Sequence, residues 1–438
     1  MQLLSKLPRM KQILGNNFGL ARQTLLIIIL KVCSLLLGLS VTVILARNLG
    51  PSDFGKYSFV VAAASLMVIP AHAGIATLLV RETAANYALG NWGLVRGFWR
   101  WSFQLSAVMI LAVLTLFMIV LWIYDSELAK NFWILISAVF LLPLLAANSL
   151  RAAVMRGIGE PVKGILLEAL VKPGLLLLGI FGLAYTSLLT PGSALMSLVL
   201  ATSVSTIAGY LWFRQLRRPE TVDVTPEFLS SKWRSSVVPL ALLVGAQMFV
   251  KYTDIVMLGV FRTPADVGQY RIATQASDLI LFVLVGVTIA VGPQIAQLYA
   301  LESRKHLQKL VLTASRVSFC AAALSFVVLL SFGEQLLKFV FGIDYAVAIV
   351  PLLILSLGQL FLAFFGLAST ILTMTGGEKT SLKIFLSASI ANIILNAILI
   401  PLYGMVGAAL STAATLSVAH AILSNTVNKK MELRTTPV

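Results

Sequence analysis

Apolar residues in this chain run in long blocks, and short polar or basic interruptions separate them. Crossing the roughly 30 Å hydrocarbon core of a bilayer takes about 20 helical residues. Twelve blocks meet that length, near 24–46, 57–80, 98–124, 131–154, 163–185, 191–213, 236–260, 269–298, 307–332, 346–375, 381–401 and 404–426. Backbone amides in lipid must be satisfied within a segment or around a closed barrel. Runs this long and evenly apolar lack the alternation of barrel strands. The pattern predicts an all-α integral membrane protein with about twelve transmembrane helices.

Composition agrees. Of 438 residues 59% are hydrophobic and 11% charged, and the mean hydropathy is +0.94. A soluble domain needs roughly 25% charged residues to cover its surface. A net charge of +16 raises the question of nucleic acid, but the cations sit in short runs between apolar blocks, as membrane topology requires, so no nucleic-acid partner is expected. Twenty-three lysines and arginines fall on the side of the termini, and five (Arg47, Lys56, Lys130, Arg262, Lys338) on the other. Both termini are therefore predicted to be cytoplasmic, with an even number of crossings. The basic N-terminal stretch runs into a full apolar block without a small-residue cleavage site, so it does not read as a removable signal. Loops on the far side are short, which leaves no room for a catalytic domain. Cys33 and Cys320 lie in apolar blocks, and His72, His306 and His420 form no cluster, so no metal, cofactor or enzyme activity is expected.

The chain also repeats itself. Pro51, Asp53, Gly55 and Tyr57 follow the first block; Pro264, Asp266, Gly268 and Tyr270 follow the seventh, 213 residues later. Gly159-Glu160 matches Gly377-Glu378, and Gly192-Ser193-Ala194-Leu195 matches Gly407-Ala408-Ala409-Leu410, at offsets of 218 and 215. Six crossings per repeat give both halves one orientation, hence two six-helix bundles related by a pseudo-two-fold axis along the membrane normal. The expected division is a bundle at 1–213, a basic linker at 214–235 and a second bundle at 236–438.

Charges within the blocks mark the candidate site, because a charge at the bilayer centre costs about 2.5–3.5 kcal/mol on insertion scales and faces a cavity or a partner when it persists. The blocks hold Lys31, Lys172, Lys251, Arg271 and Arg316 against Glu168, Asp254 and Asp278. Lys31, Lys251 and Arg271 are the leading candidates for a positive cavity that suits a phosphate or diphosphate. Asp254 and Asp278 are candidates for ion coupling or for pairing with Lys251 and Arg271. Glu168 and Lys172, four apart, can pair with each other as a neutralised structural pair, and are otherwise secondary candidates for the site. Arg316 reads as a cavity residue or as a shallow snorkelling one. Gln247, Gln275, Asn392 and Asn396 read mainly as interhelical hydrogen-bonding groups.

The stretch Ala46-Arg47-Asn48-Leu49-Gly50-Pro51-Ser52-Asp53-Phe54-Gly55-Lys56-Tyr57-Ser58 closely resembles the signature after the first helix of the polysaccharide transport family. These are the oligosaccharide (O-antigen type) flippases of the multidrug/oligosaccharidyl-lipid/polysaccharide exporter superfamily. Gly74-Ile75-Ala76 to Arg81, Lys251 to Gly259 and Ile400 to Leu410 resemble further motifs of that family, which adds Arg47 and Arg81 to the secondary candidates. The resemblance implies a flippase moving an undecaprenyl-diphosphate-linked oligosaccharide between the leaflets of a bacterial inner membrane. It also implies membrane lipid, a polysaccharide polymerase and a chain-length regulator as partners. A cation-coupled multidrug exporter of the same superfamily is the alternative, although its cavity is expected to favour acids over bases. A polymerase or ligase is expected to carry a large outer loop, and a lipid II flippase two further helices.

Overall fold

The computed structural model describes residues 7–123, 132–221, 223–375 and 377–437. The predicted block edges at 124 and 131, with Lys6 and Lys130, lie outside these residues. All regular structure among them is helical. Among the described residues eleven helices are long and apolar enough to cross a membrane, and one of them, Leu25–Met67, holds the first crossing and the start of the second. Gly50 divides it: the residue before a proline is pushed out of the helical region, and here it adopts φ 72, ψ 174, ahead of Pro51. The second crossing then continues into Ile69–Leu89. Twelve crossings result, as the apolar pattern predicts. Leu111, Leu178, Leu324 and Phe339 are 65–80% exposed, which only lipid can tolerate on this scale.

The crossings form two six-helix bundles. The third to sixth are Trp92–Ile123, Phe132–Gly157, Pro161–Tyr185 and Pro191–Leu216. The second bundle contains Ser230–Phe261, Pro264–Ala300 with one 3-10 turn, Arg304–Val340, Ile343–Met374, Glu378–Tyr403 and Met405–Met431. The tenth crossing is interrupted at Gly366, where φ is 66. The connection 217–229 is fastened to the first bundle: Arg96 Nη1 donates to the Val224 carbonyl at 2.6 Å, Glu227 N donates to the Gly93 carbonyl at 2.9 Å, and Arg218 lies over the Tyr87 and Trp92 rings.

At the end of the molecule opposite the basic loops, the repeated motif meets its own copy. Gly55 and Gly268 face each other so closely that a Cβ on Gly55 would overlap the Pro264 carbonyl, and a Cβ on Gly268 the Pro51 carbonyl. Each such Cβ would also lie 3.0 Å from the other glycine's amide nitrogen. Glycine is needed because backbones touch. Around this contact Arg47 donates to the Phe339 and Val340 carbonyls at the end of the ninth crossing, where helix carbonyls lack partners. Tyr345 Oη donates to the Ala46 carbonyl at 3.1 Å, and Thr42 Oγ1 to Gln275 Oε1 at 2.9 Å. The far half of the eighth crossing is thus bound tightly to the first. Among the described residues its other half, Phe282–Ala300, barely touches it.

The seam on the other side remains packed. Trp233 of the seventh crossing is 2% exposed, between the Phe98 and Trp101 rings of the third, and the backbone around Val237 and Ala241 closes on Gly74. The two bundles therefore part along the first and eighth crossings, and only toward the basic end.

Overpacking an interior contact costs typically 1–3 kcal/mol. Gly55→Val and Gly268→Val should each lower the melting temperature of the detergent-purified protein by several degrees. Gly38→Val, at a position with nothing within 4 Å of its Cβ, should leave it unchanged. Equal melting of all three variants would show that the motif contact is not where the bundles meet.

Candidate functional site

Proline shapes the wall of the cleft. Pro173 has no N–H to return to the carbonyl four residues earlier, and its ring crowds that position. The fifth crossing answers with a π turn over Leu167–Val171, in which Lys172 N bonds the Leu167 carbonyl. Single π turns of this kind recur at functional sites. Glu168 and Lys172 both line a cavity of about 440 Å³, together with Lys31 from the first crossing, Ser65 and His72 from the second, and Ser149 from the fourth. Met248 and Tyr252 of the seventh crossing line it from the second bundle, so the cavity lies where the two bundles meet. His72 is held by a 2.8 Å contact between its Nδ1 and the Val68 carbonyl, at the break in the second crossing.

The Glu168–Lys172 ion pair that the spacing allows is not formed. Among the described residues, neither Lys31 nor Lys172 has a carboxylate within 4 Å, and Glu168 makes no ion pair. The α-helical adjacency of positions i and i+4 does not carry over to a widened π turn. Glu168 nonetheless acts through space on Lys172, His72, Arg151 and Arg156.

Lys251, Arg271 and Asp278 make a second group, in the second bundle. The Lys251 ammonium and the Arg271 guanidinium both act on the Asp278 carboxylate, without a contact inside 4 Å, and Gln359 Nε2 donates to Asp278 Oδ1 at 3.4 Å. Lys251 is exposed and stands 6.0 Å from the ring centroid of Tyr252, the residue that reaches the first cavity. Of the three leading cations only Lys31 lines the 440 Å³ cavity itself.

Asp254 corrects a second sequence expectation. Its pairing with Lys251 is absent, because the lysine points to open space while the carboxylate is 2% exposed inside the second bundle. There it accepts from Tyr270 Oη at 2.6 Å, from the Ile255 amide at 2.8 Å and from Thr412 Oγ1 at 3.3 Å. Thr412 continues into a buried polar ladder with Asn392, Asn396, Ser411 and Thr415. Asn392 and Gln275 accordingly serve as interhelical hydrogen-bonding groups, whereas Asn396 donates to Asn392 within its own helix.

The secondary cations are engaged elsewhere. Arg47 holds the far end shut, as described above. Arg81 lies 3.6 Å from Glu82, which also faces Lys232 at 4.0 Å, so the three join the bundles at the basic end. Arg316 is no cavity residue: its Nε donates to the Pro437 carbonyl at 3.0 Å, where the segment 432–437 folds back beneath the ninth crossing. Sequence reasoning missed Ser65, Ser149, Tyr252 and Tyr270. Tyr270 carried a signal as the last residue of the repeated motif, and Tyr252 as part of the Lys251–Gly259 stretch. It also missed Arg151, counted with the basic loops but 5% exposed and bonded to Asn148 Oδ1 at 3.1 Å.

A hydrogen bond to a charged group contributes about 1.5–3 kcal/mol. Tyr270→Phe removes the shortest donor to Asp254 and should lower unfolding stability in detergent by about that amount. Thr412→Val, at the longer contact, should cost less. Equal stability of wild type and Tyr270→Phe would remove this network from the account.

Comparison with known proteins gives this architecture its relatives. A family model described as polysaccharide biosynthesis protein matches residues 20–299, and one described as MatE matches 239–398. Over 384 residues the chain is 24% identical to the probable low-salt glycan biosynthesis flippase of Haloferax volcanii, covering 85% of this chain and 76% of that protein. Among solved structures, an inward-facing multidrug resistance MATE family transporter of the MOP superfamily aligns with a TM-score of 0.76 at 14% identity, over 91% of this chain and 94% of that one. The lipid II flippase MurJ, in an inward closed conformation, aligns at 0.73 and 14% identity, over 91% and 87%. These structures share the two-bundle fold. With its first crossing, its motif and its cavity lining inside the matched region, the chain is a multi-pass membrane protein of the polysaccharide biosynthesis protein family.

Proposed function

We propose that this protein is a flippase that carries an undecaprenyl-diphosphate-linked oligosaccharide from the cytoplasmic to the periplasmic leaflet of a bacterial inner membrane, for surface polysaccharide such as O-antigen, capsule or exopolysaccharide. One observation carries the reading: a cavity between the bundles holds two ammonium groups without a carboxylate within 4 Å, under a cleft that opens only toward the basic end. Sugar hydroxyls and a diphosphate cannot enter hydrocarbon unaided. The basic end faces the cytoplasm, with both termini. The headgroup enters between the first and eighth crossings while the polyprenyl tail stays in lipid. Lys31, Lys251 and Arg271 supply the compensating field. The bundles at 1–213 and 236–438 then rock about the linker 214–235, the Gly55–Gly268 contact separates, and the headgroup leaves on the other side. A polymerase and a chain-length regulator act on the delivered glycan.

Asp254 is the better coupling candidate of the two acids, since it is a buried carboxylate held by neutral donors alone. Asp278 is compensated by Lys251 and Arg271. A multidrug exporter shares this fold, but two ammonium groups and one carboxylate in the cavity wall favour an anion over a cation.

In proteoliposomes carrying a fluorescent lipid-linked oligosaccharide, the wild type should move the headgroup across the bilayer. Lys31→Ala, Lys251→Ala and Arg271→Ala should each slow it about tenfold or more, the equivalent of one lost charge-assisted contact. Full rates in all three variants, at normal insertion, would contradict the reading. A rate for Asp254→Asn that still responds to an ion gradient as the wild type does would remove its coupling role.

A further inference from the structure

Glu168 is difficult to explain as a structural residue. It lines the same cavity as Lys31 and Lys172, forms no ion pair among the described residues, and is carried there by a π turn that Pro173 imposes. A carboxylate in a seat for anions opposes what the seat attracts. We infer that Glu168 is a resident counter-anion, which weakens the hold of the cavity on a lipid diphosphate so that the headgroup can leave. The inference rests on the flippase reading and adds to it the regulation of affinity at that site.

Two ammonium groups and one carboxylate give the cavity wall a formal charge of +1 instead of +2. Coulomb energy scales with the product of the charges, so Glu168 penalises a ligand in proportion to the ligand's own charge. A diphosphate feels it more than a monophosphate. The cavity also supplies the Ser65 and Ser149 hydroxyls and the His72 ring, groups that bind phosphate oxygens without adding fixed charge. A transporter site that binds its cargo equally firmly in both orientations traps it. A fixed negative charge beside Lys172 lowers the affinity without removing the donors that select for phosphate. While the site is empty, the same carboxylate acts on Lys172 through space and offsets part of its field.

The test is calorimetric binding of inorganic pyrophosphate, inorganic phosphate and a diphosphate with a short isoprenoid tail to the purified full-length protein. Glu168→Gln should tighten pyrophosphate about tenfold, tighten phosphate less, and slow transport in proteoliposomes. Glu168→Asp, which keeps the charge, should stay within about twofold of the wild type, while Lys172→Ala should weaken binding. The tailed diphosphate should bind at least as tightly as pyrophosphate. Unchanged or weaker pyrophosphate binding by Glu168→Gln would overturn the inference, and a clear preference for the untailed anion would overturn the lipid assignment. Failure of the wild type to bind any of these anions while it still moves the lipid-linked oligosaccharide would sink the counter-anion and leave the flippase reading standing. Tightening by Glu168→Gln in a protein that moves no glycan would do the reverse.

Discussion

A charged side chain in hydrocarbon needs water or an opposite charge, and most of this protein's internal organisation follows from how it meets that need. Arg47 and Arg316 give their guanidinium groups to backbone carbonyls, at the end of the ninth crossing and in the segment after the twelfth. Asp254 is surrounded by neutral donors. Lys31, Lys172 and Glu168 have neither solution and share a cavity instead. Lys251 and Arg271 of the second bundle act together on Asp278, without a contact inside 4 Å. The charges that remain without close partners thus gather where the two bundles part.

Two backbone features give the cleft its shape. Gly55 and Gly268, one from each half, let the bundles meet main chain to main chain at the far end, and no side chain fits between them. Pro173 turns part of the fifth crossing into a π turn and brings Glu168 and Lys172 to the cavity wall. The first feature closes one end, and the second equips the space behind it. Pro173 lies in the half of the chain that supplies most of the cavity lining, and the glycine contact draws on both halves.

Much of this was legible in the chain itself. Apolar block lengths give the twelve crossings because lipid leaves the backbone no other choice, and the Pro-x-Asp-x-Gly-x-Tyr repeat announces the two halves. What the repeat does not disclose is that its copies touch. Periodicity shows which face a residue occupies, not which helix stands opposite. Side-chain pairing was the least legible. Spacing of three or four suggested Lys251–Asp254 and Glu168–Lys172, yet a tyrosine 16 residues away took the first acid, and a proline beyond Lys172 altered the helix that carried the second pair. Serines 65 and 149 gave no signal, because a serine in a membrane helix usually bonds its own backbone, as Ser65 also does to the Val61 carbonyl.

The central claim is that the unpaired cations face water in a passage open on one side only. Single cysteines at Ser65 and Ser149, in a protein freed of Cys33 and Cys320, measure this through their reaction with a membrane-impermeant thiol reagent added to either face of oriented membranes. The account predicts rapid labelling from the basic face and little from the other. Silence from both faces, or equal labelling from both, would contradict it.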